Sequence, residues 1–410
     1  MKSIIIFFQH INREYKACEA IRDALLELDA SLSVRLFSID FEWNDARAWA
    51  RKKGIDAIIL PWMRLDFHQG LIEPFYKINN QVLVFDLDQE QIGCAADMES
   101  LLLPRCEYAK NGVIHLVWSS FYAEQLKAVG VCESNIRIVG NVRMDLATSS
   151  TITKDNLSES FALARDKKWI LFAENRSFAK NPDENFIKEM IKSGMSRKTV
   201  EDEYIYLRES LEAFSRQQFE IEDSFFEKYE LIYRSHPGQK CNIALNQHTR
   251  VISEYPIGDW LNNVDIFVTF NSSSVFEAEI VGLPSFIHCP TKIDDRFMTY
   301  GFCEYPVIDR ITDIDTILQQ PSLLNSDKKI YEYYMGEVDG RAAARIAAEV
   351  LSEQELRRAK SIPPAAYNKV IRRKVLFERM TKLFAKTNLI KKVKYPRSAY
   401  REYDDIPYIQ

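Results

Sequence analysis

The sequence has no Cys-x-x-Cys pair, and no apolar run approaches the ~18 residues that a bilayer-spanning helix needs. Its seven cysteines, at positions 18, 94, 106, 132, 241, 289 and 303, are dispersed without metal-ligand spacing. An odd, scattered set reads as reduced, buried thiols in a reducing compartment and argues against a disulfide framework. A large excess of one charge is also missing. The 54 Lys+Arg against 59 Asp+Glu leave a net charge of -5, which excludes a protein built mainly to coat nucleic acid. No Gly-x-Gly-x-x-Gly follows the first apolar run, so the dinucleotide fingerprint of an oxidoreductase is absent. That first run, residues 4–8, is too short for a signal peptide and reads as a β-strand.

What is present is a chain of 410 residues, long enough for two domains with separate cores. Strand patterns at 4–8, 34–39, 57–60, 81–85, 112–118 and 136–139 alternate with helical ones such as 15–28 and 46–53. This alternation predicts βαβ units and a parallel sheet covered on both faces. A Ser/Thr-rich linker at 147–160 separates an N-terminal Rossmann-like domain, 1–146, from a second one at 161–340. The second opens with a strand at 169–173 and a largely helical stretch at 183–228. Strands at 231–234, 251–253, 264–270 and 285–287 follow, with a helix at 275–281 between the last two. A helical crossover segment is expected at 341–364.

Polar loops at strand ends hold the candidate chemistry, because open α/β sheets bind ligands at their carboxyl edge. In the second half, Arg234, His236 and Pro237 end one strand, and Asn271, Ser272, Ser273 and Ser274 end another. Proline pushes His236 towards an extended backbone, so its imidazole projects from the strand end, on the face it shares with Arg234, towards one phosphate group gripped jointly with the neighbouring serine-tipped strand. Hydroxyls and free N–H groups at a helix start suit a phosphate. Glu277, one turn on, is placed to accept bonds from ribose hydroxyls; its alternative is an exposed helix acid. Glu174, Asn175 and Arg176 follow the 169–173 strand with a carboxylate, an amide and a guanidinium suited to sugar and phosphate recognition. In the first half the strand-end candidates are His10, then Asp88 and Glu90, then Asn141 and Arg143. A carboxylate such as Glu90 can deprotonate an acceptor hydroxyl. The plainer alternatives are solvated loop acids or a helix N-cap pair for Asp88 and Glu90 and a satisfied strand-end polar group for His10. His68 and His115 read as structural.

Past Pro363-Pro364, residues 365–400 carry eleven Lys or Arg against one acid, Glu378, a local charge of +10. Ile371, Val375, Leu376, Met380, Leu383 and Phe384 fall at helical spacing. The 365–410 tail therefore reads as a basic amphipathic helix for an anionic membrane surface, with a partner protein or the chain's own domain as the other occupants. The expected location is cytoplasmic, peripheral at the inner membrane. No platform for nucleic acid is seen.

Several motifs together resemble one family. Residues 85–91 (FDLDQEQ), 140–145 (GNVRMD), 233–237 (YRSHP), 259–284 (DWLNNVDIFVTFNSSSVFEAEIVGLP) and 339–341 (DGR) are similar to those of bacterial surface carbohydrate biosynthesis proteins. These are related in pattern to capsule polysaccharide transferases that use CMP-activated 3-deoxy-manno-octulosonic acid (Kdo). The resemblance implies a GT-B glycosyltransferase, with two Rossmann-like domains whose parallel sheets face across a cleft and a basic C-terminal helical tail. It implies a nucleotide-sugar donor of CMP-Kdo type and a glycan or glycolipid acceptor of surface polysaccharide or lipopolysaccharide. The nucleotide would be bound by His236, Pro237, Ser272, Ser273 and Ser274, with Glu90 on the acceptor side. The chain has Asp88 where those relatives often carry His. No metal or other cofactor is implied, since no Asp-x-Asp sits at a strand end of the second half. In a retaining enzyme Glu174 would be the carboxylate nucleophile. The runner-up is a CDP-glycerol-type polyol-phosphate transferase, followed by a nucleotide-sugar 2-epimerase and a non-catalytic membrane-docked scaffold.

Overall fold

The computed structural model describes residues 3–148, 150, 152–176, 184–235, 243–320, 329–352, 374–376, 378 and 380. The chain divides into two compact units. Unit 1 comprises Met1–Gln91, Leu103–Leu146 and Met335–Gln410, and unit 2 comprises Ile92–Leu102 and Ala147–Tyr334.

Unit 1 is built on β1 (Ser3–Phe8), β2 (Ser33–Ser38), β3 (Ala57–Leu60), β4 (Leu83–Asp86), β5 (Ile114–Val117) and β6 (Ile136–Ile138). They form one sheet in the order β2-β1-β3-β4-β5-β6, parallel throughout. The unbroken apolar run of β1 is explained by burial on both faces. Ile4, Ile6 and Phe8 enter one core with the helices Ile11–Leu28 and Ala342–Ser352. Ile5 and Phe7 enter the other with Trp43–Lys53 and Asp66–Tyr76.

The motifs 140–145 and 339–341 meet here. The Asp145 carboxylate accepts from the N–H groups of Gly340 (3.0 Å) and Ala342 (2.9 Å), capping the helix Ala342–Ser352. Gly336, with φ +86°, lets the returning chain pass so close that a Cβ would lie 2.1 Å from the Trp118 carbonyl oxygen.

Unit 2 repeats the plan with β7 (Lys168–Ala173), β8 (Tyr229–Arg234), β9 (Arg250–Val251), β10 (Ile266–Thr269), β11 (Ser285–His288) and β12 (Val307–Ile308). The order is β12-β11-β10-β7-β8-β9, again parallel. Its core stacks Phe172 on Phe214 from the helix Arg197–Gln218, with ring centroids 4.6 Å apart. The chain is thus two Rossmann-like units, as the alternation of apolar patterns predicts. One expectation needs correcting: β8 and β10 are not neighbours, because β7 runs between them.

Among the described cysteines none is disulfide-bonded; Cys18, Cys94, Cys106 and Cys289 are buried, whereas Cys132 and Cys303 are exposed. No helix among the described residues is long and apolar enough to cross a membrane.

Candidate functional sites at the two carboxyl edges

In each sheet the direction of winding reverses once, and the loops on either side of that reversal open a crevice at the carboxyl edge. In unit 2 the reversal lies between β7 and β10. Asn175, after β7, donates from Nδ2 to the Asn271 carbonyl after β10. The Asn271 amide is itself committed to backbone, accepting from Thr299 N–H (2.9 Å) and donating to the Phe297 carbonyl (2.9 Å). The serines follow this clamp, Ser272 and Ser273 half-buried and Ser274 buried. The Ser272 hydroxyl donates to the Ser274 hydroxyl (3.2 Å), and the Ser272 N–H reaches Thr269 Oγ1 (3.2 Å). Ser273 precedes the helix Ser274–Ile280 without a side-chain capping bond. Glu277 is buried, so it is not the exposed helix acid that its spacing also allowed.

Glu174 and Arg176 turn inward. Glu174 Oε1 accepts from Arg176 N–H (2.6 Å) and Nε (2.9 Å), and Arg176 Nη1 donates to the Ser210 carbonyl (3.0 Å). The Arg176 guanidinium is 1% exposed and lies 4.7 Å from the Phe214 ring centroid and 4.8 Å from that of Phe270. Its geometry is that of a buried strut, where sequence alone had suggested a substrate contact. Glu174 Oε2, Arg176 Nη2 and His288 Nδ1 are buried without a hydrogen-bond partner. Burial, and then the Arg176 charge, push the His288 pKa well below its ordinary value, so the imidazole is neutral. Arg234 is likewise occupied, donating to the carbonyls of Glu254 (2.8 Å) and Tyr255, and burial lowers its pKa to about 10. It holds the loop beside β8; the joint phosphate role with His236 does not fit that placement. His236 and Pro237 lie outside the described residues.

In unit 1 the reversal falls between β1 and β3. Gln9, after β1, accepts from Trp62 Nε1 (2.7 Å) after β3. Arg13 is braced by buried Glu14 (2.8 Å) and reaches Glu90 (2.9 Å). Arg64 grips Asp88 from two nitrogens, Nε to Oδ2 at 2.8 Å and Nη2 to Oδ1, and sits 3.7 Å from Glu90. Asp88 is buried, with φ +28°, a conformation that a non-glycine residue holds only when its surroundings fix it. Its Oδ1 accepts from Glu90 N–H (3.0 Å), and Arg64 Nη2 donates to the Glu90 carbonyl (3.3 Å). The Glu90 backbone is thus held at both polar atoms while its side chain stays 43% exposed. Burial works to raise the Glu90 pKa, but the charges of Arg13 and Arg64 outweigh it and hold the carboxylate below its ordinary range. Asp88 is not the solvated loop acid that its sequence context also permitted; it is the brace for Glu90.

His10 is exposed at the start of the helix Ile11–Leu28. Asn141 is buried and caps the next turn, accepting from Arg143 N–H (3.0 Å), which places this loop with the fold of unit 1 and half-buries Arg143. His115 bridges Asp86 (3.0 Å) and the Ala109 carbonyl (2.7 Å) inside the sheet. The residue that sequence reading missed is Arg64. Applying the strand-end rule to β3, as to β1 and β4, points to it.

Among the described residues no group of three or more His, Cys, Asp or Glu is arranged to hold a metal ion.

No family model matches the chain, and no curated protein matches its sequence. Solved structures do match its fold. The Staphylococcus aureus MnaA–UDP co-structure has a TM-score of 0.52 at 13% identity, covering 88% of this chain and 99% of that one. UDP-GlcNAc 2-epimerase from Methanocaldococcus jannaschii has a TM-score of 0.51 at 13% identity, covering 86% and 99%. A substituted wall teichoic acid polymerase TagF soaked with CDPG has a TM-score of 0.51 at 14% identity, covering 86% and 89%. These likenesses show the fold, the GT-B type of two Rossmann-like units.

Proposed function

We propose that the chain is a GT-B enzyme that binds a nucleotide-activated donor at the carboxyl edge of unit 2 and transfers its sugar to a surface-glycan acceptor. The observation that carries this reading is the winding reversal between β7 and β10, where the Ser272 and Ser274 hydroxyls sit at the strand tip. Neutral hydroxyl and N–H donors there stabilise the charge that develops on a departing phosphate. Support of a second kind comes from fold relatives captured with UDP and with CDPG.

The acceptor binds to unit 1 beside His10, Arg13 and Glu90. The Glu90 carboxylate takes the proton of the acceptor hydroxyl, whose oxygen bonds to the anomeric carbon. The bond from that carbon to the phosphate oxygen breaks, and its electron pair leaves with the nucleotide. The guanidinium groups of Arg13 and Arg64 fix the Glu90 carboxylate in place and lower its basicity, so it takes the proton late, as the bond from the acceptor oxygen to the anomeric carbon forms. The donor favoured by the motif resemblance is a CMP-Kdo-type sugar.

A thermal-shift panel of CMP, CDP and UDP tests this reading. A ligand at ~100-fold over its Kd adds about 2.7 kcal/mol of stability. A shift with CMP supports the Kdo-type transferase, and loss of that shift in Ser272→Ala/Ser274→Ala assigns it to the β10 tip. A response to CDP alone favours polyol-phosphate transfer, and to UDP alone the 2-epimerase. Silence with all three removes the enzyme reading.

A further inference from the structure

The helical residues 374–376, 378 and 380 of the basic tail lie on unit 1, and their two sides differ sharply. Glu378, the one acid among residues 365–400, is 1% exposed. Its Oε2 accepts from the Asn44 N–H (2.9 Å) and Asn44 Nδ2 (2.8 Å). Asn44 is the second residue of the helix Trp43–Lys53, so Glu378 satisfies a donor that the helix leaves open and places a negative charge at its positive end. Beside it Val375 packs against the Trp43–Phe75 core, and Lys374 pairs with Asp40 (3.0 Å). The opposite side carries Leu376, 59% exposed, and Met380, 45% exposed.

This arrangement spends the stretch's single negative charge inward. Among the described residues what faces outward is two large apolar side chains, in a stretch whose sequence otherwise carries eleven Lys or Arg and no further acid. A segment of that composition with leucine and methionine exposed complements an anionic lipid surface, where apolar side chains enter the acyl boundary. We propose that the face carrying Leu376 and Met380 docks unit 1 onto an anionic bilayer, with Glu378 fixing which side of the helix is presented. A protein partner is less well matched, because no apolar contact surface wider than these two side chains is on view among the described tail residues.

The test is co-sedimentation of the full chain with phosphatidylcholine vesicles, alone and with about a third phosphatidylglycerol. The wild type is expected to pellet with the anionic vesicles and to be released at ~0.5 M salt. Leu376→Ser/Met380→Ser should lower the vesicle partition coefficient about tenfold or more, since both apolar anchors are lost. Its urea transition should not move, because both side chains are exposed in the free protein. Equal binding to neutral vesicles, no binding, or equal binding by the double variant each overturns the proposal. So does a wild-type dimer that the double substitution dissolves without any vesicle binding. None of these outcomes depends on the donor assignment.

Discussion

Arg64→Met is the substitution with the largest consequence that the structure predicts for unit 1. Arg64 and Asp88 are both buried, and the guanidinium meets both carboxylate oxygens. Removing one member of such a pair leaves a charge without its partner and costs about 3–5 kcal/mol. The size of the loss depends on pH, and its sign follows from Asp88. In the wild type burial pushes the carboxyl up, Arg64 pulls it down and Asp86 pushes it up again, leaving its pKa at about 6. Without Arg64 it rises further. A carboxyl whose folded pKa exceeds the ~3.9 of the unfolded chain takes its proton first in the folded state. Stability then falls as pH climbs from ~4 through the folded pKa, by at most ~1.4 kcal/mol per pH unit. The wild type completes that fall near pH 6, and the variant continues to lose stability above it. The gap between them is therefore small at pH 5 and widest at pH 8. Urea unfolding followed by tryptophan fluorescence at both pH values reads it, since Trp43, Trp49, Trp62 and Trp118 all belong to unit 1. Arg64→Met/Asp88→Asn, which removes both charges, should be less destabilised than Arg64→Met alone at pH 8. A loss under ~1 kcal/mol at pH 8, or the same loss at both pH values, would refute the reasoning.

Three further expectations test unit 2 and the chain's return to unit 1. Glu174→Gln leaves the Arg176 guanidinium buried without a counter-charge, so unit 2 should lose about 3 kcal/mol in urea unfolding, while Asn175→Ala, at the crevice itself, should cost less. The Glu203 carboxyl is pushed up to about 7 by burial and then by Asp97, so stability falls as pH rises from ~4.3 through 7; Glu203→Gln should flatten that slope and stabilise the protein at pH 8 by about 1–2 kcal/mol. Gly336→Ala combines a left-handed backbone, costing ~1–2 kcal/mol, with a Cβ set 2.1 Å from the Trp118 carbonyl oxygen; calorimetry should show unit 1 melting well below the wild type.

Much of the scaffold was legible because parallel strands buried on both faces leave unbroken apolar runs, as in β1, β7 and β10. The two short edge strands fared differently. β12 has only two residues and was not anticipated, whereas β9 (Arg250–Val251), though exposed, overlaps the strand expected at 251–253. Loop positions were legible too, since Glu90, Asp88, Glu174 and the serines all follow strands. Side-chain direction was not. Arg176 and Glu174 are two residues apart in a loop that reads as polar and exposed, yet three aromatic rings from Phe172, Phe214 and Phe270 surround the guanidinium. Only long-range packing brings Phe214 and Phe270 there. Strand order is equally non-local: nothing in the spacing of residues 231–234 and 264–270 says that β7 comes between them.

That intervening strand changes what the donor site can hold. Strands are spaced ~4.8 Å apart, so the tips of β8 and β10 stand ~10 Å from one another, more than one phosphate group spans. A ligand touching both tips must lay two different groups over the β7 tip between them. The residue directly after β7 is Glu174, whose carboxylate is buried against the Arg176 guanidinium, so no free charge stands at this tip. The neutral hydroxyl and N–H donors suited to a phosphate are those that follow β10. On the proposed reading, then, the phosphate belongs to the Ser272–Ser274 side of the crevice. The hydroxyl-bearing part of the donor crosses β7, and the β8 tip meets the far end of the same molecule. A single phosphate gripped jointly by His236 and the serines is replaced by a nucleotide laid along the edge of the sheet.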